Sequence, residues 1–321
     1  LVFPSLPIFA RATSGSSSPP CFTARMDEPT AAAVWRREAV QPVLDAYAAH
    51  AAVDAVMLSG STARGDADRW SDVEIGVFWS RAPTAGERAS VVHAADLRQV
   101  SRDDADPPWY DHVHLGAGRP DGLLVEVVHT TTACFESTLD TVLGACRPDP
   151  AGLDALKGLV DGRDVRGAKA DLVTTWQERA ATYPRELAIA VVRRDGAIEQ
   201  FWRWRMLVER DNPLLIAREF MRVSSQLLNV LHALNGRYCG HASAFKRLDT
   251  LERELAVAPS GLAARIRSVF RLPVPEGAAA LRALVEETYD LVELHLPEAD
   301  ADQLRALFRS DRRPLEKMTI R

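Results

Sequence analysis

A glycine-serine turn between two β-rich runs, with two carboxylates on alternate positions of the second run, constrains this chain more than any other feature. The first run is Val53-Asp-Ala-Val-Met-Leu58, followed by Ser59-Gly60-Ser61-Thr62-Ala63-Arg64; the second is Ser71-Asp72-Val73-Glu74-Ile75-Gly-Val-Phe-Trp79. Apolar residues dominate both runs and small or charged residues bound them, so each reads as a buried strand. Alternate residues of a strand share a face. Asp72 and Glu74 therefore project side by side, while Val73 and Ile75 point into a core.

Adjacent carboxylates raise each other's pKa unless a cation sits between them. A hard divalent ion with oxygen ligands is the natural occupant, and Mg²⁺ keeps positions open for substrate phosphates. The Gly60-Ser61 turn suits the same chemistry. Glycine lets the backbone approach closely, and a helix start beyond it offers free N–H groups. Arg64 adds a planar cation. A Gly-Ser turn or an Asp-x-Glu strand alone is most often structural. The two in order, with Arg64 and apolar flanks, favour a catalytic reading.

These residues resemble the nucleotidyltransferase superfamily that includes DNA polymerase beta, and within it the antibiotic branch of kanamycin, lincosamide and other aminoglycoside-type enzymes. Gly60-Ser61-Thr62-Ala63-Arg64 matches the branch's Gly-Ser-x-x-Arg, and Ser71-Asp72-Val73-Glu74 its Ser-Asp-Ile/Val-Glu. The resemblance implies a Mg²⁺-dependent enzyme that moves a nucleoside monophosphate from an NTP to a hydroxyl and releases pyrophosphate. Asp72 and Glu74 would hold two ions about 3.5–4 Å apart. Gly60, Ser61, Arg64 and Ser71 would orient the phosphates.

Leu123-Leu-Val-Glu126-Val-Val-His-Thr130 carries one acid inside an apolar run. A buried lone carboxylate is expensive, and an edge strand with Glu126 facing water is the alternative. The superfamily has a third carboxylate on a later strand, facing the first two. The resemblance thus implies Glu126 as a metal ligand or as the base for the attacking hydroxyl. Relatives can draw a base from their helical half instead, where Asp161 and Asp171 stand in this chain.

The expected fold class is α+β. Residues 31–150 read as a catalytic domain, a mixed sheet flanked by helices. It opens with a helix over 31–50, has a short helix near 87–97, an acidic loop over 103–108, and strands over 109–115 and 123–130 joined by the connector 116–122. From 151 to 310 helical spacing dominates, with candidate helices over 168–182, 184–208, 213–234, 242–256, 262–270, 277–294 and 302–307. This half resembles the all-helical domain of small-molecule nucleotidyltransferases. Lys246 could there reach the triphosphate from the far side of a cleft, or be a solvated charge. Arg237, Tyr238 and Lys246 are candidates for the wall facing the acceptor. Residues 1–30 are expected to be a disordered extension, with 1–25 upstream of a start at Met26, and 311–321 a tail.

A net charge of −5 over 321 residues argues against a chain whose main task is coating nucleic acid, while leaving such a partner open. Four scattered cysteines with no C-x-x-C spacing fit a reducing cytosol better than a disulfide framework. No apolar run approaches the roughly 20 residues of a membrane span. The expected partners are an NTP and a small hydroxyl acceptor. An aminoglycoside-type cation would suit an acidic chain, with Asp103-Asp104-Ala-Asp106 as a contact or simply a solubilising loop. A toxin-like enzyme acting on tRNA or protein and a non-catalytic nucleotide sensor are the alternatives. Three features are set aside. Gly162–Lys169 lacks the lysine of a P-loop at the right place. His112 and His114 read as surface or packing histidines. Trp202 and Trp204 read as packing residues rather than a base-stacking platform.

Overall fold

The computed structural model describes residues 28–116, 122–198, 206, 208–239 and 243–310. The expected N-terminal extension up to residue 27, most of the 116–122 connector, the tryptophans at 202 and 204 and the tail from 311 lie outside the described residues.

A six-stranded mixed sheet and a helical layer that continues into the C-terminal half make an α+β fold, as expected. The strands are β1 (Val53–Ser59), β2 (Val73–Trp79), β3 (Leu97–Asp103), β4 (Trp109–Leu115), β5 (Leu124–Thr131) and β6 (Arg163–Arg166). Their order across the sheet is β3-β4-β5-β2-β1-β6. Only β2 and β5 run parallel; every other neighbouring pair is antiparallel. The apolar alternation of β2 and β5 fits strands with one face in the core and the other half-buried.

The two faces carry different cores. Val73, Ile75 and Val77 of β2 and Val125 and Val127 of β5 are buried beneath α1 (Ala31–Ala48) and α3 (Ala85–Ala94), against Val40, Val43, Leu44 and Tyr47. Short α2 (Gly60–Arg64) closes the turn after β1. On the opposite face Ala55, Met57 and Phe78 meet α4 (Thr132–Leu139), α5 (Pro150–Asp161) and α6 (Ala170–Ala181). That second core runs on into α7 (Arg185–Asp195), α8 (Pro213–Leu234), α9 (Ser243–Lys246), α10 (Leu248–Glu254), α11 (Leu262–Val269), α12 (Val274–His295) and α13 (Ala301–Arg309).

Local chemistry sets the helix ends. The Thr30 hydroxyl accepts from Ala33 N–H at 3.1 Å, Asp149 from Gly152 N–H at 2.7 Å and Asn212 from Leu215 N–H at 3.2 Å, each satisfying an otherwise orphaned donor. Pro150 and Pro213 follow two of these caps, where a missing N–H costs nothing.

Three expectations are corrected. Part of the stretch read as the end of a helix and an acidic loop is strand β3, and part of the rejected P-loop look-alike is strand β6. Both are edge strands with mostly exposed or half-exposed residues, so neither needs the apolar alternation that marks a central strand. The helix expected over 242–256 is interrupted at Arg247. Among the described residues no helix is long and apolar enough to cross a membrane.

Candidate active site

The turn after β1 is shaped around a carboxylate. Gly60 sits at φ +65°, in the left-handed region. A Cβ there would stand 2.5–2.6 Å from the Glu74 carboxyl atoms. No other residue fits both the dihedral and the space. The side chain of Glu74 lies over the bare backbone of the turn, so glycine serves first to admit an acid. The carbonyl of half-buried Ser61 closes the turn by accepting from Gly65 and Asp66 N–H, both at 3.0 Å.

Glu74 lies against this turn, and two further acids stand on the same side of the sheet. Glu74 and Glu126 are register partners on the parallel strands β2 and β5, so both side chains leave the same sheet face. Asp72 stands just before β2 and shares that face. Burial pushes the Glu74 carboxyl above its usual range, and the charges of Asp72 and Glu126 add to the rise. Arg64 and Lys157 oppose the shift and do not overcome it. Beneath them, Val73 and Ile75 are buried as the alternation predicts.

Glu126 is not left to water. Its Oε2 lies 3.0 Å from Nε2 of His112, the cross-strand partner on β4, and His112 Nδ1 lies 3.0 Å from Ser101 Oγ. A proton on Nε2 serves the Glu126 contact, and the Ser101 hydroxyl can either donate to Nδ1 or accept from it. The reading of His112 as a surface or packing residue missed this role. The signal was the shared face of Tyr110, His112 and His114 once β4 is paired with β5. Tyr110 reports the same neighbourhood: burial raises its hydroxyl pKa, and Glu126 and Asp154 raise it further.

Helix α5 forms the other wall. Asp154, Lys157 and Asp161 recur at helical spacing on one side of it. Lys157 Nζ donates to Asp161 Oδ2 at 2.5 Å, and Arg64 Nη1 donates to the same oxygen at 2.8 Å. Burial would raise the Asp161 carboxyl, but Lys157 and Arg64 together hold it below its usual range. Asp161 is thus a poor proton acceptor, tied up in fixing two cations. Asp171 is exposed in the first turn of α6. Arg64 also reaches Asp66 at 3.2 Å, so its guanidinium is braced between the turn and α5.

The loop between α2 and β2 meets the helical half. Ser71 Oγ donates to Asp68 Oδ1 at 3.1 Å and accepts from Asp68 N–H at 3.0 Å. Arg36 Nε donates to the Ser71 carbonyl at 2.8 Å. Ser71 thereby fixes the residue next to Asp72. Arg247 forms an ion pair with Asp66 at 2.7 Å. Exposed Lys246 is near enough to help lower the Asp68 carboxyl, after the Trp70 N–H and the Ser71 hydroxyl. The structure therefore brings Lys246 to the rim of the loop that carries Asp72. Tyr238, a candidate for the acceptor wall, is a core residue instead: it is buried and its hydroxyl donates to the Ala180 carbonyl at 2.9 Å. Arg237 pairs with Glu254.

The acids on this face offer oxygens, the chemistry that Mg²⁺ selects, with the His112 ring beside Glu126. Asp72 and Glu74 fit such an ion, because a cation would relieve the crowding that raises Glu74. Glu126 would share it only by yielding part of its contact with His112. Among the described residues no group of three His, Cys, Asp or Glu side chains is drawn together as a metal-binding cluster.

No family model and no curated protein sequence matches this chain. Among solved structures, it is similar to a nucleotidyltransferase-like protein from Exiguobacterium sibiricum. The likeness covers 83% of this chain and 79% of that one, at 14% identity and a TM-score of 0.33. At that distance the chemistry of the site has to be argued from its own residues.

Proposed function

We propose that this protein is a nucleotidyltransferase that moves a nucleoside monophosphate from a Mg²⁺-bound NTP to a hydroxyl of a small acceptor. One observation carries the reading. Glu74, Asp72 and Glu126 share a sheet face, and the nearby cations do not balance the burial and the acidic neighbours of Glu74. A cation or a proton on such a face relieves both. Mg²⁺ held there supplies charge neutralisation to the triphosphate and to the transferring phosphoryl group.

The residues divide the work. Asp72 and Glu74 would hold the ion side of the nucleotide, and Gly60 makes room for the Glu74 carboxyl by having no side chain. Ser61, Ser71 and Lys246 line the way to the phosphates, while Arg64 adds its charge from the brace with Asp161. The acceptor oxygen attacks the α-phosphorus, the bond to the bridging oxygen breaks, and pyrophosphate leaves. The proton of the acceptor hydroxyl passes to the Glu126 carboxylate, which His112 holds in orientation. A cytosolic setting, rich in NTP and Mg²⁺, suits this chemistry.

Incubation of the full chain with labelled NTPs, Mg²⁺ and a panel of hydroxyl acceptors tests the proposal. The expected result is a nucleotidylated product with one pyrophosphate per transfer, abolished by Asp72→Asn. A wild-type protein that neither forms product nor binds Mg²⁺-NTP contradicts it.

A further inference from the structure

A small cleft opens between α5, α7, α8 and the segment after α8. Leu153, Asp154, Tyr183, Arg194, Arg237 and Cys239 are among the residues lining it. It adjoins the carboxylate face. Asp154 belongs to the cleft and also acts on Tyr110, which in turn feels Glu126. Lys157 acts on both Glu74 and Cys239, whose thiol burial pushes up to about 12. Helix α5 joins the two places: Leu153 and Asp154 line the cleft, and one turn on Lys157 donates to Asp161, which also holds Arg64 of the Gly60 turn.

Its charged lining is two arginines and one acid, Asp154. Arg194 binds buried Asp195 through Nε at 3.0 Å and Nη2 at 2.6 Å. Its Nη1 lies buried without a hydrogen-bond partner. A buried donor left unmade is costly, and arginine presents its free edge in a geometry that matches carboxylate or phosphate oxygens. Arg237 shares Glu254 with Arg247, so one carboxylate serves two guanidinium groups. Leu153 and the Tyr183 ring offer apolar surface beside them.

We propose that this cleft binds the acceptor, and that the acceptor carries an anionic group, carboxylate or phosphate, held by Arg194 and Arg237. This deepens the nucleotidyltransferase reading and rests on it. It also reverses the expectation of a cationic, aminoglycoside-type acceptor, because a polycation would meet two arginines on entry.

Calorimetric titration of the full chain tests the inference, with the nucleotide site filled by Mg²⁺ and a non-hydrolysable NTP. The probes are inorganic phosphate, malonate and spermidine. The wild type should bind at least one of the two anions and not spermidine, and the tighter anion identifies which group the acceptor carries. Arg194→Lys keeps a charge opposite Asp195 but loses the fork, and Arg237→Gln leaves Glu254 paired with Arg247. Each should weaken the anion about tenfold, roughly the loss of one charged hydrogen bond, with the affinity for Mg²⁺-NTP unchanged. Absence of anion binding, equal anion affinity in wild type and variants, or binding of spermidine overturns the inference while nucleotide binding stands. Failure of the wild type to bind Mg²⁺-NTP overturns the underlying reading instead.

Discussion

The sheet holds acids on both faces, and it treats them in opposite ways. Under α1 and α3, Asp111 is fully buried and meets Arg88 at 3.3 Å, Arg102 at 3.3 Å and His129 at 3.0 Å. Burial would raise its carboxyl, yet those partners hold it below the usual range. Trp79 Nε1 completes the network by donating to His129 Nδ1 at 3.1 Å. On the other face burial and then the charges of Asp72 and Glu126 raise the Glu74 carboxyl, and Arg64 and Lys157 do not bring it back. A carboxylate that serves the fold comes with its cations. One left short of cations, half-exposed and over a glycine, is arranged for a ligand that supplies them.

This contrast can be broken most visibly on the buried face. Asp111→Ala leaves Arg88 buried without its main counter-charge and should cost about 3–5 kcal/mol in urea melts. A cost below that of an ordinary surface change would mean that the network is not what holds this face. Next in size, Gly60→Ala forces a Cβ into the Glu74 carboxyl at a left-handed dihedral. We expect about 1–2 kcal/mol of lost stability from the backbone alone, together with loss of Mg²⁺-NTP binding. Normal nucleotide binding by this variant would show that the position of Glu74 is unimportant.

Glu74→Gln should do the reverse to the metal-free protein and stabilise it by about 1 kcal/mol. The pH dependence sharpens the comparison. Glu74 is raised above its ordinary 4.5, so the folded chain holds that proton more tightly, and stability falls as pH rises from 4.5 through the folded value. His129 is depressed below its ordinary 6.5, mainly by burial, and Asp111 below 3.8. There the unfolded chain binds the protons more tightly, so stability is full above 6.5 and is lost as pH falls. Urea melts at about pH 5 and about pH 8 should show Glu74→Gln gaining most at the higher pH. A gain that is equal at both would contradict the carboxylate crowding. The smallest effect belongs to exposed Lys246→Ala: stability within about 0.5 kcal/mol of wild type, with weaker NTP binding. Unchanged affinity would make Lys246 a solvated charge.

How much was legible beforehand follows the same physics. Central strands β1, β2, β4 and β5 announce themselves because each buries at least one face, which demands apolar residues there. Edge strands β3 and β6 escape notice because solvent permits Arg, Gln, Ser and Asp along them. Asp72 and Glu74 could be placed on one face from spacing alone. The pairing of Glu74 with Glu126 is a fact of strand register, and the contact of His112 with Glu126 follows only once β4 is paired with β5. Lys157 and Asp154 needed α5 to be seen against the sheet. Tyr238 was misread because a tyrosine after a helix end looks the same whether its hydroxyl faces a cleft or the Ala180 carbonyl.

The central claim is that Arg64 and Lys157 do not offset the burial and acidic neighbours of Glu74, and that Mg²⁺-NTP does. Thermal unfolding of wild type and Glu74→Gln, each with and without Mg²⁺ and NTP, tests this directly. The wild type should gain about 2.7 kcal/mol at a ligand concentration one hundred times its Kd, while Glu74→Gln starts higher and gains little. A wild type that gains nothing, or a variant that gains as much, contradicts the account.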